Sequence, residues 1–271
     1  PRTLLCPELK PRVDRKAPAT VTQNTPSNPS RSRIGPEQPP PSRLPPAYLG
    51  RILMTAGPTQ EPIDAVRFIG NRSSGRLGSA LATEAARRGW AVTLLIGPVS
   101  VLPDDSRITL VRFRTTADLQ KLLREHTPTA DVLVMAAAVA DYRPKVNPDF
   151  FGGKFRRKNE NLNLELEPTP DLLAEVASRR RPDQLMVGFA LEPKGELLAS
   201  ARAKLERKKI DLVVANPLET MDSESIEAIV LGADGSETRT PGTITKAQFA
   251  PWLMEVIEQK AAAFHFAGRG S

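Results

Sequence analysis

From residue 51 onward the chain alternates between short unbroken apolar runs and longer stretches with helical spacing. "RILMTAG" (51–57) is an apolar run closed by a glycine, the pattern of a parallel strand buried on both faces. "GRLGSALATEAARRG" (75–89) places Leu77, Leu81 and Ala85 four residues apart, which predicts an amphipathic helix ending at Gly89. "AVTLLIG" and "ITLVRF" read as further strands, "ADLQKLLREH" as a helix entered from Thr116, and "DVLVMAAAVAD" as a buried strand running into a loop. The order is βαββαβ. Right-handed crossovers wind such an order into an open sheet whose ligands lie beyond the carboxyl ends of its strands.

The segment "YRPKVNPDFFGGKFRRKNEN" (142–161) has no clean period and is rich in Lys, Arg, Asn and Gly, so it reads as a long loop of functional or disordered character. The α/β pattern then resumes with a strand at "LNLELE", a helix from Thr169 or Pro170, a strand at "LMVGFA", a helix through "AKLERKK" and a strand at "IDLVVAN". "IEAIVLGADGSETR" reads as two strands about a turn, and "TKAQFAPWLMEVIEQKAAAF" as a closing helix with Pro251 as a candidate kink. The predicted fold class is α/β: a Rossmann-like doubly wound, mostly parallel sheet with helices on both faces, plus a small β extension.

Residues before 49 differ in kind. Positions 1–46 hold twelve of the 26 prolines and few large apolar side chains, so residues 1–48 are expected to be a disordered proline-rich tail, with a docking peptide as the rarer alternative. Residues 49–271 form the predicted folded domain. Charge changes the picture only briefly: the net +7 suggests a polyanion partner, but the first 50 residues carry +5 of it. Neither nucleic acid nor a membrane is therefore an expected partner, and a small anionic ligand stays open. The single cysteine, Cys6, lies in the tail, which leaves the domain no disulfide, cysteine metal site or thiol nucleophile. His126 and His265 are the only histidines, which disfavours zinc and Ser-His-Asp chemistry. No apolar run is long enough to span a membrane and no secretory signal is seen, so the cytoplasm is the expected compartment. A chain starting at Pro1 suggests a processed or truncated form.

The candidate chemistry centres on "RFIGNRSSGRLGSALATEAARRG" (67–89), where three glycines, an asparagine and two serines stand before a helix. A helix N-terminus presents unpaired N–H groups and partial positive charge, and glycine permits close approach to the backbone. A phosphate is the natural guest. The Gly70, Gly75, Gly78 spacing departs from the dinucleotide fingerprint, and glycines that merely allow close packing, with Ser73 or Ser74 as a helix cap, remain the structural alternative.

The string "TAGPTQEPIDAVRFIGNRSSGRLG" resembles the opening signature of phosphopantothenate-cysteine ligases, and "AAAVADYRP", "PTPDLL", "VGFALE" and "AKLERKKIDLVVAN" follow in that family's order. The resemblance extends over roughly residues 51–259. It is to the ligase half alone, without the flavin-dependent decarboxylase to which that half is fused in many bacteria; a separate decarboxylase would then be a pathway partner. It implies a reaction in which the carboxylate of 4'-phosphopantothenate is activated by a nucleoside triphosphate with Mg²⁺, pyrophosphate leaves, and the amine of cysteine attacks the acyl-nucleotide. CTP is the first expectation and ATP the alternative, and the family implies a homodimer.

Carried over residue by residue, the resemblance makes Asn71 the main catalytic candidate, donating to the acyl carbonyl oxygen, and Lys154 the candidate that covers the triphosphate. Arg67, Ser73, Ser74 and Gly75 become candidates for substrate binding; an ion pair of Arg67 with Glu61 or Asp64 is the alternative. Gly57, Ala137, Asp141, Pro170, Asp171, Phe189, Lys204 and Lys208 become nucleotide-binding candidates. Ala137 would act through its backbone. Asp141 has a turn-capping alternative, Phe189 a core one, and the two lysines that of a solvated helix face. No metal ligand is assigned.

Two departures stand out. The family's K-I-K-K reads "KFRR" at 154–157, and arginine does not simply replace lysine in a tight site. Pro217 follows "VVAN" where the family has aspartate. These keep alive a degenerate, non-catalytic binding homologue. A nicotinamide-dependent reductase is weaker still, because no acid follows "VTLLIG" to meet an adenosine ribose.

Overall fold

The structure, a computed structural model, describes residues 49–145, 153, 161–220 and 223–267. The first half contains β1 (Arg51–Ala56), β2 (Gln60–Pro62), β3 (Phe68–Gly70), α1 (Arg76–Arg88), β4 (Ala91–Ile96), β5 (Ile108–Arg112), α2 (Thr116–His126) and β6 (Val132–Met135). The second contains β7 (Tyr142–Pro144), β8 (Leu166–Pro168), α3 (Leu172–Ala177), β9 (Leu185–Glu192), α4 (Leu197–Lys208) and β10 (Leu212–Pro217). The chain closes with β11 (Ser225–Ile226), β12 (Ile229–Gly232), β13 (Glu237–Arg239), β14 (Ile244–Thr245) and α5 (Lys246–Ala267).

Eight strands form one sheet in the order β13-β12-β10-β9-β6-β1-β4-β5. Six are parallel, and β12 and β13 extend the sheet antiparallel at one edge. Counted along the chain, the parallel strands run 3-2-1-4-5-6 from the β5 edge, the order of a doubly wound dinucleotide fold. The winding reverses between β1 and β6, which opens a crevice at their carboxyl ends. The predicted α/β class, mostly parallel sheet and β extension all match this arrangement.

Strand periodicity sorts the core into two layers. Ile52, Met54 and Ala56 face α1 and α5 with Val132 and Val134, while Leu53, Leu133 and Met135 face the side of α2, α3 and α4. Leu81, Leu94, Leu119 and Leu123 are fully buried, each contributing about 2 kcal/mol of transfer free energy. On the first face, Arg88 Nη1 donates to Glu258 at 2.8 Å, Trp90 Nε1 donates to the same carboxylate at 3.0 Å, and Arg88 Nη2 donates to the Pro251 carbonyl at 2.9 Å. These bonds lock α1 to α5, which accommodates Pro251 within its length.

Local chemistry sets the helix ends. Thr115 and Asp118 form a reciprocal capping box at α2, and Gly89, at φ 104°, closes α1 with its N–H on the Ala85 and Ala86 carbonyls. The structure departs from the sequence pattern at α3: Asp171 caps it by accepting from the Ala174 N–H at 3.1 Å, so the helix begins at Leu172 rather than Thr169 or Pro170. Thr169 is instead bound backward, its N–H to the Asp141 carbonyl at 2.9 Å and its hydroxyl to the Ala140 carbonyl. The "LNLELE" strand shrinks to β8, which among the described residues pairs with β7 and stays outside the main sheet. The insert between β1 and α1 is a small hairpin, β2 with β3.

Candidate active site

The crevice at the switch point is an open cleft of about 1090 Å³. One wall is the turn from β3 into α1. Gly75 is the N-cap at φ 68°, left-handed backbone that favours glycine, and a Cβ there would also meet Val99 Cγ1 at 2.8 Å. No side chain caps the helix; Ser73 and Ser74 hydroxyls lie 3.4 and 3.5 Å from the N–H groups of Gly75 and Arg76, too far for strong bonds. Its first turn therefore turns backbone N–H groups toward the cleft, with Ser73, Ser74, Gly75 and Gly78 in the lining. The other two glycines are packing devices. A Cβ on Gly78 would lie 2.5 Å from Ala56 Cβ, and one on Gly70 2.6 Å from the Thr59 carbonyl.

The floor is the loop after β6. Thr55 Oγ1 accepts from the Ala137 N–H at 3.0 Å, the Gly57 carbonyl from Ala138 at 2.9 Å, and Thr59 Oγ1 from Ala140 at 2.9 Å. This loop is thus held from beneath by the end of β1. Asn71 crosses to it: its side-chain amide donates to the Val139 carbonyl at 2.9 Å. The polar turn and the floor, 68 residues apart in sequence, meet at that bond.

The far wall comes from α3, β9 and α4. Lys208 pairs with Asp171 at 2.9 Å, and burial, which raises that carboxyl, is outweighed by the lysine and the Ala174 N–H, so Asp171 titrates below its usual range. Lys204 donates to the Phe189 carbonyl from a half-buried position. Burial, reinforced by the charge of Lys208, lowers its ammonium to about 8. Phe189 fills both of its readings, packed on the core at one side and lining the cleft on the other.

Eleven of the fourteen sequence candidates therefore line one cleft: Asn71, Ser73, Ser74 and Gly75 on the first wall, Ala137 and Asp141 on the floor, and Pro170, Asp171, Phe189, Lys204 and Lys208 opposite. Arg67 and Gly57 are not among its lining. Arg67 Nε donates to Asp64 Oδ2 at 2.9 Å, so the Asp64 ion pair is realised, and Glu61 takes other partners. Gly57, at φ 80°, sits behind the turn, its backbone 3.3 Å from where a Gly75 Cβ would project. Ala137 borders the cleft with its N–H already given to Thr55, which leaves its carbonyl side for a ligand. Lys154 lies outside the described residues. The sequence reading missed Arg207, Asn216, Thr220 and Lys246, which also line the cleft. Two of these carried a signal: Arg207 lies three residues beyond Lys204 on the same helix face, and Asn216 ends the "VVAN" motif without having been assigned a role.

Residues 49–261 match the family described as the DNA/pantothenate metabolism flavoprotein C-terminal domain. The chain belongs to that family. Among curated proteins, this domain is 43% identical over 200 residues to the coenzyme A biosynthesis bifunctional protein CoaBC of Mycobacterium bovis, covering 69% of this chain and 47% of that protein. It is also 42% identical over 168 residues to a cysteine/cysteine sulfinic acid decarboxylase from an unknown prokaryotic organism, covering 62% of this chain and 46% of that one. The chain thus spans about half the length of these relatives. A crystal structure of the C-terminal domain of CoaBC is 33% identical, with a TM-score of 0.66, covering 79% of this chain and 96% of that domain. The family domain here carries the full polar turn, the floor and the lysine wall in one crevice.

Proposed function

We propose that this domain is a ligase of coenzyme A biosynthesis that joins 4'-phosphopantothenate to cysteine. The observation that supports it best is the bond from Asn71 to the Val139 carbonyl, which brings the helix entrance of α1 and the nucleotide-side floor within reach of one bound molecule. In this reading the 4'-phosphopantothenate carboxylate attacks the α-phosphorus of CTP, or of ATP as the alternative, and pyrophosphate leaves. The cysteine amine then attacks the acyl carbon of the resulting acyl-nucleotide, losing a proton as the nucleoside monophosphate departs and the amide forms. Neither step needs a protein nucleophile, so positioning and charge stabilisation carry the catalysis.

Asn71 would turn its amide from Val139 to the developing oxyanion. Ser73, Ser74, Gly75 and the first N–H groups of α1 would hold an anionic group, with Arg67 contributing only after leaving Asp64. Lys204 and Lys208 would meet the nucleotide phosphates, with Lys154 covering them. Asp141, Pro170, Asp171 and Phe189 would frame base and ribose. Among the described residues no cluster of three or more His, Cys, Asp or Glu side chains could cage a metal. Mg²⁺, when bound, would offset phosphate charge, and Asp141 in the cleft lining would be the carboxylate at hand to hold it. A cytoplasmic homodimer is part of the proposal, and no helix among the described residues is long and apolar enough to cross a membrane.

The decarboxylase name of one relative is not transferred, because the match covers less than half of that protein. The test is pyrophosphate release with 4'-phosphopantothenate, cysteine and Mg²⁺, supplying CTP and ATP separately, beside Asn71→Ala. The expected result is phosphopantothenate-dependent release with one nucleotide, and amide formation lost by on the order of 10²-fold in the variant. Folded protein that releases no pyrophosphate with either nucleotide sinks the proposal.

A further inference from the structure

Glu61 is a buried carboxylate that the proposed chemistry does not use. It is 3% exposed, on β2, and among the described residues its bonds run to Thr116 and not to a lysine or arginine. Its Oε1 accepts from the Thr116 N–H at 2.8 Å and from the Thr116 hydroxyl at 2.7 Å. Thr116 opens α2, whose capping box already occupies Thr115 and Asp118, so Glu61 serves the first turn as an acceptor from another element. A carboxylate placed there without a lysine or arginine is expensive unless something requires it.

The hydrogen bonds show what lies beyond. The Thr116 and Thr59 hydroxyl oxygens are 3.4 Å apart, and both residues are fully buried. Thr116 has one hydroxyl proton, engaged at the shorter distance by Glu61, so the Thr59 hydroxyl is the one left to donate across the longer contact, a weak bond that works as the packing link between the two buried threonines. Thr59 Oγ1 in turn accepts from the Ala140 N–H at 2.9 Å. The carboxylate, able only to accept, thereby sets one direction for the whole series, from Ala140 through Thr59 and Thr116 to Glu61. Ala140 lies directly between Val139, the partner of Asn71, and Asp141 in the cleft lining.

We infer that Glu61 is a positioning residue for the active-site floor, fixing its Ala140 end through Thr116 and Thr59 without touching substrate, while Thr55 and Gly57 hold the Ala137 end. The inference rests on the ligase reading for its kinetic consequence but not for its structural one. Two readouts on the full chain separate these. Amide exchange at Ala140 should quicken severalfold in Glu61→Ala, where its bond to Thr59 is kept but loses its support, and about tenfold in Thr59→Val, where that bond is lost. Amide-forming kcat should fall on the order of 10- to 100-fold while KM for the nucleotide moves less than about threefold, because the floor is displaced and not deleted. Glu61→Gln keeps an Oε1 that accepts both Thr116 donors and should restore both readouts.

If Glu61→Ala does not fold, Thr59→Val breaks the same series one step later, and Thr59→Ser should rescue it. Unchanged Ala140 exchange in Glu61→Ala or Thr59→Val overturns the inference, as does a Gln variant as damaged as the Ala. A wild-type chain without ligase activity removes the proposed function alone, since the exchange arm still decides whether Glu61 holds the floor.

Discussion

Substituting Gly78 by alanine puts opposite signs on two physical effects. Gly78 has ordinary helical backbone in α1, where alanine is favoured over glycine by about 1 kcal/mol. Against this, the new Cβ would stand 2.5 Å from Ala56 Cβ, 3.2 Å from the Thr55 carbonyl oxygen and 3.3 Å from Ala56 Cα. Each of these atoms is fixed to strand β1, so no rotamer can absorb the overlap. Restoring a carbon contact of roughly 3.5 Å requires α1 to retreat by roughly 1 Å. Overpacking of this kind costs about 3 kcal/mol at the upper end of its range, leaving a net loss of about 2 kcal/mol. For a domain of this size that is a Tm lower by about 4–8 °C, with the urea midpoint falling in step and the m-value unchanged. Because α1 opens at the cleft, the same retreat should weaken anion binding at its N-terminus. Ala56→Gly removes the closest atom, so the double variant should show a coupling of about 1 kcal/mol or more relative to the two singles. A Gly78→Ala protein more stable than the parent, or strictly additive double-mutant energetics, would refute the claim that this glycine sets the distance between α1 and β1.

Two further outcomes follow from the site. Lys204 is protonated below about 8, and an anion bound beside it would raise that value. Nucleotide binding should therefore take up a proton near pH 8 and weaken as pH rises from 7 to 9; calorimetry in buffers of different ionisation enthalpy reads the uptake, and Lys204→Arg should abolish the pH step. Arg67→Ala leaves the buried Asp64 without its guanidinium partner and should cost about 2 kcal/mol in urea unfolding with the KM for 4'-phosphopantothenate little changed. An unchanged melt with a raised KM would instead make Arg67 a substrate ligand.

The large elements were legible because their signals are local. Apolar runs gave β1, β4, β6, β9 and β10, and four-residue spacing with a terminal glycine gave α1. The hairpin β2–β3 was not legible: its strands are three residues each, and Val66 and Phe68 remain exposed, so no alternation marks them. The pair β7–β8 is similar, with Tyr142 and Leu166 exposed. At the site, residue types were readable but their commitments were not. Nothing in "NRSSG" shows that Asn71 reaches Val139, and nothing in "AAAVAD" shows that the Ala137 N–H belongs to Thr55. Asn216 and Lys246 joined the cleft only through the sheet order, which brings the end of β10 and the start of α5 to the same crevice.

Asn71 on Val139, Lys204 on Phe189 and Lys208 on Asp171 share a consequence for turnover. Each of these three side chains already has a partner within the protein. A ligand entering the cleft exchanges partners rather than adding them, so each contact contributes only the difference between two bonds. Affinity per contact is modest as a result, and the same partners are waiting when products leave. On the proposed reaction, a cleft wired in this way would reset itself after each cycle, the protein's own carbonyl and carboxylate groups taking back the side chains as anionic products leave.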